Sequence, residues 1–184
     1  MLRKVTELWL ALLAAILMTG LYALVVIFTR EIPAASDLFG HGIGILGFLL
    51  MLMTETLYSL RKRVRSVRFG RMSLWLQFHI FTGLVGPYMV LLHTSWKFNG
   101  LAGVTTLLTV VIVISGFVGR YIYTRIPRTA DGTVMEDSLS AEALKHARRL
   151  MALWHTVHIP IGMALFTAAF VHIGAALYYA TFIN

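Results

Sequence analysis

Five apolar runs, each long enough to cross a bilayer, dictate what this chain can become. They lie at about Leu8–Phe28, Phe39–Leu60, Met72–Ser95, Leu101–Tyr123 and Met151–Phe182. A hydrocarbon core of roughly 30 Å takes about 20 residues of helix. The chain is 58% hydrophobic and only 13% charged, against about 25% charged in a soluble domain. Charge that sparse cannot coat a water-facing surface. A soluble enzyme, a secreted module and a disordered tail are all excluded. The expectation is one all-α membrane domain over residues 1–184, with five transmembrane helices in the lipid bilayer.

The net charge of +8 falls in short patches between the apolar runs. That is a topology signal and not the footprint of a nucleic-acid binder. The segment RKRVRSVRFGR between spans two and three has six basic residues and no acid. The connection after span four carries Arg120, Arg125, Arg128, Lys145, Arg148 and Arg149, whereas the remaining two loops hold Arg30 and Lys97. The lysine and arginine bias puts the basic loops and the N-terminus in the cytoplasm and the C-terminus outside. The bacterial inner membrane is the expected location. Arg3 and Lys4 resemble the start of a signal peptide. The apolar run behind them exceeds the roughly 7–15 residues of a signal core, so it reads as a retained span.

The long connection over residues 126–149 has a turn at Pro127 and Asp131–Gly132. Ser140 can cap a short helix there, with Glu142 in its first turn. Leu144, Ala147 and Met151 share one side of it, which predicts an amphipathic helix on the membrane surface or a docking surface for a cytoplasmic partner. With no cysteine anywhere, disulfides, cysteine-ligated iron–sulfur clusters and Cys-x-x-Cys-His haem attachment are excluded.

Histidine inside a span needs a partner. Span three carries His79 and His93, and span five His158 and His172, both pairs 14 residues apart. Fourteen residues rise about 21 Å and return to within about 40° of the starting direction. Each pair therefore occupies one helix face. Spans three and five run in the same direction, which sets His79 level with His158 and His93 level with His172. Two levels of facing imidazoles are the ligand geometry of bis-histidine b-type haem. Both helices also share His-Ile-x-x-Gly, nine residues, then His. Gly83, Gly86 and Val90, and in span five Gly162, Leu165 and Ala169, are the expected haem-facing stripe. Histidines that merely bond neighbouring helices are the plain alternative.

These paired motifs on alternate spans resemble the two-haem cytochrome b family of membrane quinone oxidoreductases, over Phe39 to the C-terminus. The segment Gly116-Phe-Val-Gly119-Arg120-Tyr121 through Ile126-Pro127-Arg128 is similar to compact bacterial members. The resemblance implies a four-helix haem-binding bundle and two b haems of different potential. It also implies quinone sites near the membrane faces and further redox subunits as partners. His79 and His158 are then axial ligands of an inner haem, His93 and His172 of an outer one. The chain is much shorter than respiratory cytochrome b and lacks a Pro-Glu-Trp-Tyr motif, which argues against bifurcated quinol oxidation. A ferric-reductase-like haem module served by a separate flavoprotein is the second reading. A haem-free scaffold or transporter is the third.

Other polar residues have narrower readings. Glu55 is the only acid well inside a span, a candidate proton or quinone site or a partner for Arg120 or a loop arginine. Arg120 can reach a haem propionate or simply belong to the basic loop. His41 is an interfacial histidine, an alternative ligand or a proton acceptor; His155 is interfacial, a support for the neighbouring ligand, or the rival for the inner ligand on span five; His146 is solvated. Pro87 and Pro160 each remove a helical hydrogen bond and tend to kink their helices.

Overall fold

The computed structural model describes residues 6–64, 70–126 and 141–182. They form five helices: α1 Thr6–Thr29, α2 Leu38–Arg63, α3 Met72–His93, α4 Gly100–Arg125 and α5 Ala141–Phe182. All five are long and apolar enough to cross a membrane. The shortest, α3, has 22 residues, a rise of about 33 Å. The described residues are thus all-α, with five membrane-spanning helices, as the apolar runs predict. Arg3, Lys4, Pro127, Arg128, Asp131–Gly132 and the capping role of Ser140 lie outside the described residues.

The helices gather into two compact units, residues 1–96 and 97–184. In the first, α3 packs against both α1 and α2. The α2–α3 contact is close because glycine faces glycine. A Cβ on Gly86 would lie 2.9 Å from the Gly47 carbonyl oxygen, and a Cβ on Gly47 would lie 2.9 Å from the Gly86 oxygen. Small residues let membrane helices approach backbone to backbone. Beside that contact the Thr54 hydroxyl donates to Thr82 Oγ1 at 2.7 Å, and the Thr82 hydroxyl donates to the Phe78 carbonyl at 2.8 Å. Thr82 is 1% exposed, and its hydroxyl is satisfied, as burial in an apolar setting requires. On the other flank the hydroxyls of Thr19 and Tyr88 tie α1 to α3. Ala11, Tyr22, Ile43, Val85, Met89 and Leu92 form the core of this unit. The opposite face of α1 is apolar and exposed, with Trp9, Leu13, Ile16, Leu17 and Phe28 on it, as suits a helix that faces lipid.

Local chemistry ends these helices. Arg30 takes a left-handed φ of 60° after α1, and its N–H reaches the Val26 carbonyl. Asp37 Oδ2 accepts from the Ala34 N–H at 2.8 Å, closing the turn that leads into α2. After α3, Ser95 and Trp96 both have positive φ, and the Ser95 hydroxyl donates to the Pro33 carbonyl.

In the second unit α4 packs on α5. Here one expectation is corrected. The surface helix predicted ahead of span five is not a separate element, because α5 is continuous over 42 residues, about 63 Å of helix. That is roughly twice the bilayer core. The segment AEALKHARRLM consists mostly of strong helix formers and holds neither glycine nor proline, so nothing breaks the helix where its hydropathy falls. Leu144 is buried, while Lys145, His146, Arg148 and Arg149 are exposed. Pro87 and Pro160 both sit inside helices that continue through them.

Candidate functional site

The first unit holds His79 and His93 on α3, both half-buried. His79 Nδ1 lies 3.1 Å from the Thr54 carbonyl oxygen of α2. His93 Nδ1 lies 2.8 Å from the Gly40 carbonyl oxygen, also of α2. A carbonyl only accepts, so Nδ1 must carry the proton in both rings. In the neutral imidazole the lone pair then sits on Nε2. This is how metal-binding histidines are oriented: one nitrogen donates to a backbone carbonyl, and the other is left as a basic donor.

Two neighbours fix these rings further. A Cβ on Gly44 would come within 2.7 Å of His93 Cγ and Nδ1, so the glycine is the space the imidazole occupies. The Tyr58 ring leans on His79 with centroids 4.8 Å apart.

In the second unit His158 Nδ1 lies 3.0 Å from the Ser115 hydroxyl of α4. Trp154, one turn earlier on α5, stacks on His158 at 4.5 Å and 28°. Its indole N–H donates to the Ser115 carbonyl at 2.7 Å. Gly119 admits that indole, since a Cβ there would meet Trp154 Cε2 at 2.2 Å. His158 is therefore held by a serine, a tryptophan and a glycine that act together. His172 is half-buried further along α5, and Leu165 and Ala169 between the two histidines are buried.

Gly83 and Gly162 each follow a histidine by four residues. A Cβ on Gly83 would meet Thr54 Cγ2 at 3.4 Å, and one on Gly162 only Ile112 Cδ1 at 3.9 Å. Gly86 corrects the predicted haem-facing stripe, because it is spent on the α2 backbone. The face of α3 that carries the histidines is also the face that leans on α2.

Glu55 is exposed, and its carboxylate accepts from the Ser59 hydroxyl at 3.3 Å. Arg120 is half-buried. Arg125 is engaged locally, donating to the Tyr121 hydroxyl at 2.9 Å. His41 is exposed, and His155 touches the Trp154 ring at 4.8 Å.

Among the described residues no three histidine, cysteine or acidic side chains converge as a metal site would need. A haem iron asks the chain for only two donors, since the macrocycle supplies the rest. Imidazoles with Nδ1 engaged, as in His79, His93 and His158, are compatible with that demand.

Thr54, Gly40, Gly44, Ser115, Trp154 and Gly119 carry the histidines without having been singled out for that task by the sequence. Of the two glycines Gly116 and Gly119, only Gly119 forms the notch for Trp154. Comparison of the chain with family models, curated proteins and solved structures finds no match.

Proposed function

We propose that this protein is the membrane subunit of an electron-transfer complex and binds two b-type haems without covalent attachment. His79 and His158 are the ligands of the inner haem, and His93 and His172 those of the outer one. The observation that carries the reading is the hydrogen bonding of Nδ1 in three of these four histidines, at 3.1, 2.8 and 3.0 Å. Engagement of Nδ1 by a carbonyl leaves Nε2 of His79 and His93 as the nitrogen available to iron, which supports the reading.

Bound haem supplies reversible one-electron chemistry, and the chain supplies the rest. Thr54 and Gly40 hold the protons on Nδ1 of His79 and His93. Ser115 and Trp154 orient His158. Gly162, where a Cβ would meet only Ile112 Cδ1 at 3.9 Å, leaves room beside α5, and Arg120 is offered to a propionate. The spanning helices exclude water and keep the path in low dielectric. Electrons pass between a membrane quinone and a redox partner subunit, with the basic loops and N-terminus on the cytoplasmic side.

Redox titration of four single variants tests the assignment. Replacing His79 or His158 by alanine should remove one spectral component, and replacing His93 or His172 should remove the other. Loss of the same component from the His79 and His172 variants would overturn the pairing.

A further inference from the structure

On α5, Lys145, Arg149, Leu153 and Val157 follow one another at steps of four residues, which places them on one ridge of the helix. All four are exposed. The ridge is apolar at Leu153 and Val157 and cationic at Arg149 and Lys145, and the helix runs through the change unbroken. A spanning helix that turns from apolar to charged along one ridge leaves the hydrocarbon there and enters the head-group layer. Arg148 is also exposed, three residues after Lys145. The neighbouring helix brings a further cation to this level. Ile112 lies against Gly162 and Gly119 against Trp154, so α4 and α5 run antiparallel. Arg125 is six residues after Gly119, and Arg148 is six before Trp154. Both therefore stand about 9 Å beyond that contact. Arg125 is exposed, with its guanidinium 4.8 Å from the centre of the Tyr121 ring. Among the described residues Glu142 is the only acid at this end of the pair.

We propose that this end of the α4–α5 pair binds an anionic phospholipid, with its phosphate among Arg125, Lys145 and Arg149 and its acyl chains along Leu153 and Val157. Arginine pairs with phosphate oxygens bidentately. Basic side chains at a membrane surface attract anionic lipid. The apolar part of the ridge identifies the ligand as a lipid, because a soluble anion or an acidic protein has no use for exposed leucine and valine directly beneath the cations. The cations also select among lipids. A zwitterionic lipid carries the same phosphate, but its ammonium group is repelled by them. A lipid held between Arg125 and Arg149 ties the ends of α4 and α5 together, next to the Gly119–Trp154 contact. The inference stands whether or not the protein binds haem.

The test uses the purified, delipidated full chain in a neutral detergent. Labelled dioleoylphosphatidylglycerol is titrated in mixed micelles, with dioleoylphosphatidylcholine as the comparison. The proposal expects saturable binding of phosphatidylglycerol, at least tenfold tighter than that of phosphatidylcholine. The double variant Lys145→Gln, Arg149→Gln should weaken it at least tenfold, and Arg125→Gln should weaken it as well. Arg30→Gln, in the turn after α1, should leave it unchanged. Glu142→Gln removes the acid and should tighten binding, a gain that misfolding does not mimic. Equal affinity for the two lipids overturns the proposal. So does wild-type affinity in the double variant. Displacement of the lipid by inorganic phosphate would assign these cations to a soluble anion. Tighter binding of a polyglutamate peptide than of the lipid would assign them to an acidic protein. Either result also overturns it.

Discussion

One methyl group should unseat one haem. In Gly44→Ala the new Cβ would lie 2.7 Å from His93 Cγ and Nδ1 and 2.9 Å from Cε1. Ordinary contact begins near 3.4 Å, so the ring must retreat by about 0.7 Å. It is tethered on that side by its 2.8 Å hydrogen bond to the Gly40 carbonyl, so the retreat weakens the contact that keeps Nδ1 protonated. Overpacking of this kind costs about 1–3 kcal/mol. At about 1.4 kcal/mol per decade, affinity for the outer haem should fall roughly 5- to 150-fold. The helix itself gains, because alanine is favoured over glycine by about 1 kcal/mol. Gly42→Ala is the matched comparison, since a Cβ there meets no heavy atom within 4 Å. Spectral redox titration of the two purified variants reads the result. The outer component should be depleted in Gly44→Ala and intact in Gly42→Ala, with the inner component intact in both. Two full components with unchanged midpoints in Gly44→Ala would refute the reasoning.

Ser115→Ala removes the partner of His158 Nδ1, making the imidazole a weaker donor to ferric iron. The inner haem midpoint should rise while the outer one stays, and titration showing no shift would count against the serine's role. Gly119→Ala drives a methyl into the Trp154 indole, which should cost about 1–3 kcal/mol. A lower melting temperature and altered tryptophan fluorescence in detergent should report it. Gly83→Leu and Gly162→Leu place bulk one turn from an inner ligand. Each should deplete the inner haem more than the outer, and equal loss of both in yield-matched spectra would assign these glycines to helix packing instead.

Much of the fold could be read from hydropathy because a membrane span is a question of length and composition. The run Phe39–Leu60 became α2 at Leu38–Arg63, and Leu101–Tyr123 became α4 at Gly100–Arg125. The exception is α5, where a drop in hydropathy does not end the helix. Ala, Glu, Leu, Lys and Arg continue a helix as well in water as in lipid, so the charges around Arg148 mark a change of surroundings and not of backbone. The histidines stood out because a 14-residue repeat is visible in a string of letters. Their Nδ1 partners did not, because two are backbone carbonyls, and a carbonyl at Thr54 or Gly40 leaves no trace in residue identity. Periodicity finds the face that holds Gly86 without saying what occupies it. The neighbour of Gly86 is the backbone of Gly47.

The most direct measurement is the haem-to-protein ratio of the purified chain, with a pyridine haemochrome spectrum set against amino-acid analysis. The proposed pairing of four histidines as axial ligands predicts a ratio near two and a b-type reduced α-band. A ratio near one would mean that a single pair is used. A ratio near zero, in a chain that remains monodisperse and helical, would contradict the account at its centre.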